Sequence, residues 1–229
     1  MRCRCRLATL GSVVAVRILG IDPGTQVAGF GCLECTVAGS ATEGACMPSD
    51  APLALRASNT VRAGSSGDLR PIECGVLRLG GRNRLIPERL FALAEQVREL
   101  IERLQPTELA IEEAFYGKSA QAALRIGEAR GVVLAEAARA DLAIHQYPPA
   151  RIKRSVTGSG QAGKEAVAAM VLQQLGASDT QPAIPKDATD ALAVALTRAE
   201  ERRSPLARQE KLAAAVGEPV RFFPSRRRR

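Results

Sequence analysis

The sequence predicts an α/β domain on a mixed five-stranded sheet: a three-strand meander, then strands alternating with helices that cover both faces. Three observations predict it. Arg17 to Gly31 (RILGIDPGTQVAGFG) reads as a buried strand, a tight turn and a returning strand. Two later strand-length apolar runs, Glu108 to Phe115 and Leu142 to Tyr147, are separated by helical periodicity. The 229 residues, 46% of them hydrophobic, suffice for one full core, and no internal repeat is visible.

The elements follow in order. Ile18, Leu19 and Ile21 form the short β-prone run of a central strand, ended by Asp22. Pro23-Gly24-Thr25 supplies turn chemistry, and Val27 to Cys32 returns. Gly29 and Gly31 in that strand allow close approach of a backbone or a ligand. Residues 39–71, rich in Gly, Ser, Ala, Thr and Pro, read as a loop insertion. Ile72 to Leu79 is the third strand. Pro87 opens a helix whose apolar positions, Leu90 to Leu104, keep helical spacing until Pro106. Glu108 to Phe115 is the fourth strand, and Gln121 to Arg139 is a helix. Its Gly127 and Gly131, four apart, suggest close packing against another helix, including one across a dimer interface. Leu142 to Tyr147 is the fifth strand, and Ala162 to Leu175 and Lys186 to Ala199 are helices. The chain thus divides into an N-terminal extension (1–16), a core domain (17–200) with its 39–71 insertion, and a basic tail (201–229).

The net charge of +8 favours a polyanionic partner, although Arg226 to Arg229 alone supply four charges. No apolar run reaches the roughly 18 residues of a membrane span. The start, MRCRCRLATLGSVVAV, has the basic and apolar parts of a secretory signal, but it runs into the first strand without a spacer. An extra arm, or a start codon placed too early, is preferred, with a cytoplasmic location and reduced thiols. Cys32-x-x-Cys35 lies in a strand, where positions three apart face opposite ways, so a zinc site completed by Cys3 and Cys5 is disfavoured.

The carboxylates carry the chemistry. Asp22 ends the first strand, Glu112 lies near the end of the fourth, and Asp187 and Asp190 share a face at the start of the last helix. Helix-dipole complementation and capping is the simple alternative for the last pair. The helix after Asp190 is almost wholly apolar, so it packs deep and holds its acidic end near the sheet. Carboxylates converging there repel one another unless a hard divalent cation such as Mg²⁺ meets them. Two such ions about 3.5–4 Å apart would suit phosphodiester cleavage.

The motifs LGIDPGTQVAGFG, LAIEEAFYGKSAQAALRIGEARGVV, ARIKRSVTGSGQAGKEAV and KDATDALAVAL together resemble the RuvC-type Holliday-junction resolvases of the ribonuclease-H-like superfamily. The resemblance covers roughly residues 17–200. It implies a homodimer that nicks two symmetry-related strands of four-way junction DNA during recombination and repair, served by a branch-migration motor complex. It implies that Asp22, Glu112, Asp187 and Asp190 take the metal-binding positions, with two Mg²⁺ per subunit and Mn²⁺ as a substitute. Some members carry His where this chain has Asp187, and Glu113 is a rim residue. Phe115 takes the place of a base-stacking aromatic, with Tyr116 beside it, and Lys153 and Lys164 align with DNA-contacting lysines. Lys118 and Arg151 are further candidate DNA contacts. His145 reads as a packed or surface strand residue rather than a base.

Three other readings compete. Gly158 to Lys164 matches a phosphate loop until Glu165, which replaces the hydroxyl that would hold Mg²⁺. An actin-like nucleotide fold needs a second domain and a second Gly-rich hairpin, and neither is found. A nonenzymatic junction-binding module fits poorly with four carboxylates facing DNA.

Overall fold

The computed structural model describes residues 13–38, 69–81, 83–113, 120–176 and 184–204. The strands are β1 (Val13–Asp22), β2 (Val27–Ala38), β3 (Leu69–Arg78), β4 (Glu108–Glu112) and β5 (Ala143–Tyr147). They form one sheet of order β3-β2-β1-β4-β5. β1 pairs antiparallel with β2 and parallel with β4. β2 pairs antiparallel with β3, and β4 parallel with β5. The helices are α1 (Ile86–Leu104), α2 (Ala120–Arg139), α3 (Pro149–Thr157), α4 (Lys164–Gln174) and α5 (Lys186–Arg203).

Strand alternation sorts the side chains into two cores. Leu19, Ile21, Phe30 and Ile111 meet Leu93 and Val97 of α1 and Val133 of α2. Val16, Ile18, Leu33 and Ala110 meet α3, α4 and α5 on the opposite face. Fully buried side chains such as Ile18 and Leu192 each contribute about 1.5–3 kcal/mol of transfer free energy. Cys32 joins one core and Cys35 the other, so this pair cannot share an ion.

α5 is buried along most of its length because it lies directly on β1 and β2. Three glycines on that face make room for it. A Cβ on Gly20 would come within 2.2 Å of the Ala191 carbonyl oxygen, and one on Gly31 within 2.6 Å of the Leu192 side chain. Gly29 meets the first turn of the helix in the same way. The glycines that the sequence marks for close approach therefore admit a helix backbone.

Several boundaries differ from the sequence expectation. β1 begins at Val13, inside the expected extension, because β2 continues to Ala38 and pairs with it there. β3 begins at Leu69, with Pro71 accommodated where the β2–β3 register shifts at Cys32/Leu33. α3 has no counterpart in the sequence reading, which took Pro148-Pro149 and the following basic residues as a connection. Proline suits a first helical turn, Ile152 and Val156 supply a buried i,i+4 pair, and Gly158 closes the helix in the left-handed conformation (φ 79°). α5 runs to Arg203, past the expected start of the tail. A Cβ on Gly127 or Gly131 would meet nothing within 4 Å, so their expected close packing does not occur within the described chain.

Candidate active site

Asp22 and Glu112 are side by side for a reason of register. Ile21 pairs with Ile111 in the parallel β1–β4 ladder, and each isoleucine is buried against α1 and α2. The next residue of each strand therefore points to the other face, under α5. Asp22 is also paired with Gly29, and the backbone of Asp187 lies directly over Gly29: an added Cβ would sit 1.8 Å from the Asp187 carbonyl oxygen. Asp190 follows Asp187 by three residues, on the same face of α5. Two strand ends and one helix start thus bring the four predicted carboxylates into one neighbourhood.

Their mutual field is strong. The Asp22 carboxyl is pushed up to about 7, first by burial, then by Asp190 and Glu112, with a smaller contribution from Asp187. Burial and Asp190 also raise Glu112. Lys164 opposes both shifts, and Lys153 opposes that of Glu112. The Lys164 Nζ donates to Asp190 Oδ2 at 3.3 Å, and Asp190 raises the ammonium in turn. A cleft of about 110 Å³ opens between Glu112, Lys153, Lys164 and Asp190, with Ile152 and Val167 among its apolar walls.

The donor set fits a hard divalent cation: all-oxygen, multiply charged and partly withdrawn from water. Among the described residues, no three carboxylate, histidine or thiol groups close around a single point. The expected gathering therefore holds at the level of shared field and not of a preformed coordination shell. The alternative that Asp187 and Asp190 serve as caps lacks a bond, since Pro185 occupies the cap and no side chain bonds there.

The remaining predicted residues fall into three groups. Lys153 and Lys164 border the cleft. Arg151 is engaged elsewhere: its Nη2 donates to Glu201 Oε1 at 2.5 Å, and its guanidinium lies 5.3 Å from the centroid of the Tyr147 ring. Phe115, Tyr116 and Lys118 lie outside the described residues. His145 sits half-buried in β5 with Nε2 3.7 Å from Glu108, its pKa lowered by burial and Arg198, as a packed strand residue should be. Sequence reasoning missed Arg130, whose Nε donates to the Glu112 carbonyl at 3.1 Å and steadies that strand end. It also missed Glu108, on the same face as Glu112 but matched by Arg198 and Arg202 at 2.7 and 3.0 Å. An isolated arginine or glutamate in a helix or strand carries no pattern that would mark it.

The model of the crossover junction endodeoxyribonuclease RuvC family matches residues 54–198. The crossover junction endodeoxyribonuclease RuvC of Chloroflexus aurantiacus strain J-10-fl is 37% identical over 184 residues, 80% of this chain and 93% of that protein. The Moorella thermoacetica RuvC is 37% identical over 182 residues, 80% and 90% of the two chains. This chain belongs to the RuvC family. Among solved structures, Thermus thermophilus RuvC superposes with a TM-score of 0.61 at 29% identity, over 82% of this chain and 96% of that one. The T. thermophilus RuvC solved in complex with Holliday junction substrate gives 0.62 at 28% identity, over the same shares. A yeast mitochondrial Holliday junction resolvase shares the fold at 13% identity and a TM-score of 0.54. The sheet order and the helices on both faces are those of the ribonuclease-H-like fold of these RuvC enzymes. No helix among the described residues is long and apolar enough to cross a membrane.

Proposed function

We propose that this chain resolves Holliday junctions, as a crossover junction endodeoxyribonuclease acting in recombination and repair. The observation that carries the reading is the convergence of Asp22, Glu112, Asp187 and Asp190 at one end of the sheet, with Lys153 and Lys164 on the cleft beside them. RuvC enzymes are metal-dependent nucleases, and here the four carboxylates would hold two Mg²⁺ ions, which Mn²⁺ can replace. Bound metal supplies activation of water and neutralisation of the leaving oxygen. The protein's own part is to fix the carboxylates on rigid elements, temper their mutual repulsion with Lys164 and Lys153, and set those two ammonium groups beside the cleft.

Asp187 is exposed and at the outer end of the set, so it suits an exchangeable ligand, whereas Asp22 suits a permanent one. Direct hydrolysis, without a covalent intermediate, is the reaction that metal-activated water would perform at such a carboxylate site. Phe115, Tyr116 and Lys118 would extend the DNA face from the segment after β4.

A homodimer is supported by the outer face of α2, where the exposed Leu124 lies three and seven residues from the unpacked Gly127 and Gly131, on the same side of the helix. A branch-migration motor as partner, a cytoplasmic location, and the arm–domain–tail division rest on the family resemblance and the sequence. A synthetic four-way junction incubated with the protein, with and without Mg²⁺, tests the function. Symmetric nicks that require Mg²⁺ and vanish in Asp22→Asn, with junction binding retained, are expected. Equal cleavage by Asp22→Asn would refute the assignment.

A further inference from the structure

We propose that Glu201, Tyr147 and Arg151 form a clamp that fixes α3 and through it sets Lys153 in the cleft, so that Arg151 grips the protein and not DNA. The inference rests on the reading of Lys153 as a junction contact given above.

α3 has little else to hold it. It is nine residues long, begins at the second of two prolines, has no side-chain cap, buries only Ile152 and Val156, and takes one bond from α4, where Gln174 Nε2 donates to the Val156 carbonyl at 3.1 Å. α5 provides a charged anchor at the start of the helix. Glu201 Oε1 accepts from Arg151 Nη2 at 2.5 Å. Its Oε2 accepts from the Tyr147 hydroxyl at 2.5 Å and from Arg198 Nη1 at 2.8 Å. The Arg151 guanidinium also lies over the Tyr147 ring, a favourable cation–π arrangement.

The anchor is secured from behind. Arg198 Nε donates to Glu108 Oε2 at 2.7 Å, and Arg202 pairs with the same carboxylate at 3.0 Å. These side chains are only 12, 8 and 13% exposed in the order Arg198, Glu108, Arg202. An isolated surface ion pair contributes little. A carboxylate with three donors, one of them from a guanidinium locked in the interior, is held in place. Glu201 is therefore fixed relative to α5, the helix whose N-terminal end carries Asp187 and Asp190. Lys153 follows Arg151 by two residues on α3 and borders the cleft with Glu112. Tilting α3 moves Lys153 relative to the carboxylates, and the clamp prevents that tilt.

The test uses charge against expectation. Removing the negative Glu201 near a polyanion should tighten binding on electrostatics alone. The clamp predicts the reverse. Affinity for a fluorescent four-way junction is measured in EDTA for Glu201→Ala, Arg151→Ala, their double variant, and each in a Lys153→Ala background. Expected are about tenfold weaker binding in each single variant, no further loss in the double, and no further loss on Lys153→Ala. A purely structural role would add to the Lys153→Ala loss. Tighter or unchanged binding by Glu201→Ala overturns the proposal and returns Arg151 to the DNA face. Tyr147→Phe, which removes one hydroxyl, must weaken binding in the same direction, and it serves if Glu201→Ala fails to fold. Lys153→Ala alone should lower the salt slope of binding by about one. An unchanged slope overturns the junction-contact reading and the clamp with it, whereas a lowered slope with additive losses overturns the clamp alone.

Discussion

Gly29 is where sheet and carboxylates meet, and Gly29→Ala probes that contact with one methyl group. The new Cβ would stand 1.8 Å from the Asp187 carbonyl oxygen, 2.2 Å from its carbonyl carbon and 2.9 Å from the Ala188 nitrogen. Moving the first contact from 1.8 Å to the 3.0 Å below which real Cβ contacts essentially never occur requires a retreat of about 1.2 Å. All three atoms are backbone, so no rotamer change relieves the clash. The start of α5 must lift from β1 and β2, loosening the buried Ala188, Ala191 and Leu192. Overpacking of this kind costs about 1–3 kcal/mol. Asp187 and Asp190 move with the turn, while Asp22 and Glu112 stay on the strands. Misplacement of about 1 Å in a catalytic constellation costs on the order of 10²-fold in rate. Urea unfolding should show the stability loss, and single-turnover cleavage of a four-way junction the larger loss of activity. Gly81→Ala, whose Cβ would meet nothing within 4 Å, is the control and should match the parent in both assays. A Gly29→Ala protein with parental stability and rate would refute the argument that this close approach positions the carboxylates.

Three further outcomes follow from the same geometry. In metal-free protein Asp22 titrates near 7 against an ordinary value of 3.8, so the fold retains a proton that the unfolded chain releases. The stability tied to that proton is complete below about pH 4 and is lost as pH rises through 7; Asp22→Asn should therefore raise the melting temperature at pH 8 in EDTA and not at pH 4, and a pH-independent gain would contradict it. Glu108→Gln removes the carboxylate that Arg198 and Arg202 share, leaving Arg198 with Glu201, and should cost about 3 kcal/mol in urea unfolding, with a loss under about 1 kcal/mol counting against the network. Leu124→Glu places a charge on the exposed outer face of α2 and should convert the proposed dimer to a monomer in light scattering, and an unchanged mass would refute that interface.

The sheet and four of the five helices were legible because their signals are local. Ile18 to Asp22 alternates and then stops at a charge; Leu90 to Leu104 keeps helical spacing between two prolines. Asp22 and Glu112 were legible as carboxylates at strand ends, and the parallel register that puts Ile21 beside Ile111 makes neighbours of the residues that follow. α3 was hidden because a nine-residue helix with two buried side chains has too short a period to stand out, and its prolines read equally well as a turn. The fate of Arg151 was hidden for a different reason. Its partner Glu201 is fifty residues away, in a stretch that composition alone assigns to a solvated tail. Basic residues near a nuclease cleft are read as DNA contacts because net charge is visible in a sequence and charge pairing is not. Glu108 and Glu112 make the same point on one strand: same residue type, same face, four positions apart. One is neutralised by arginines from α5, while the other faces Asp22 and Asp190 with only lysines to temper it. What separates a structural carboxylate from a candidate catalytic one here is the helix turn that lies above it, and that is decided by where glycine lets α5 touch the sheet.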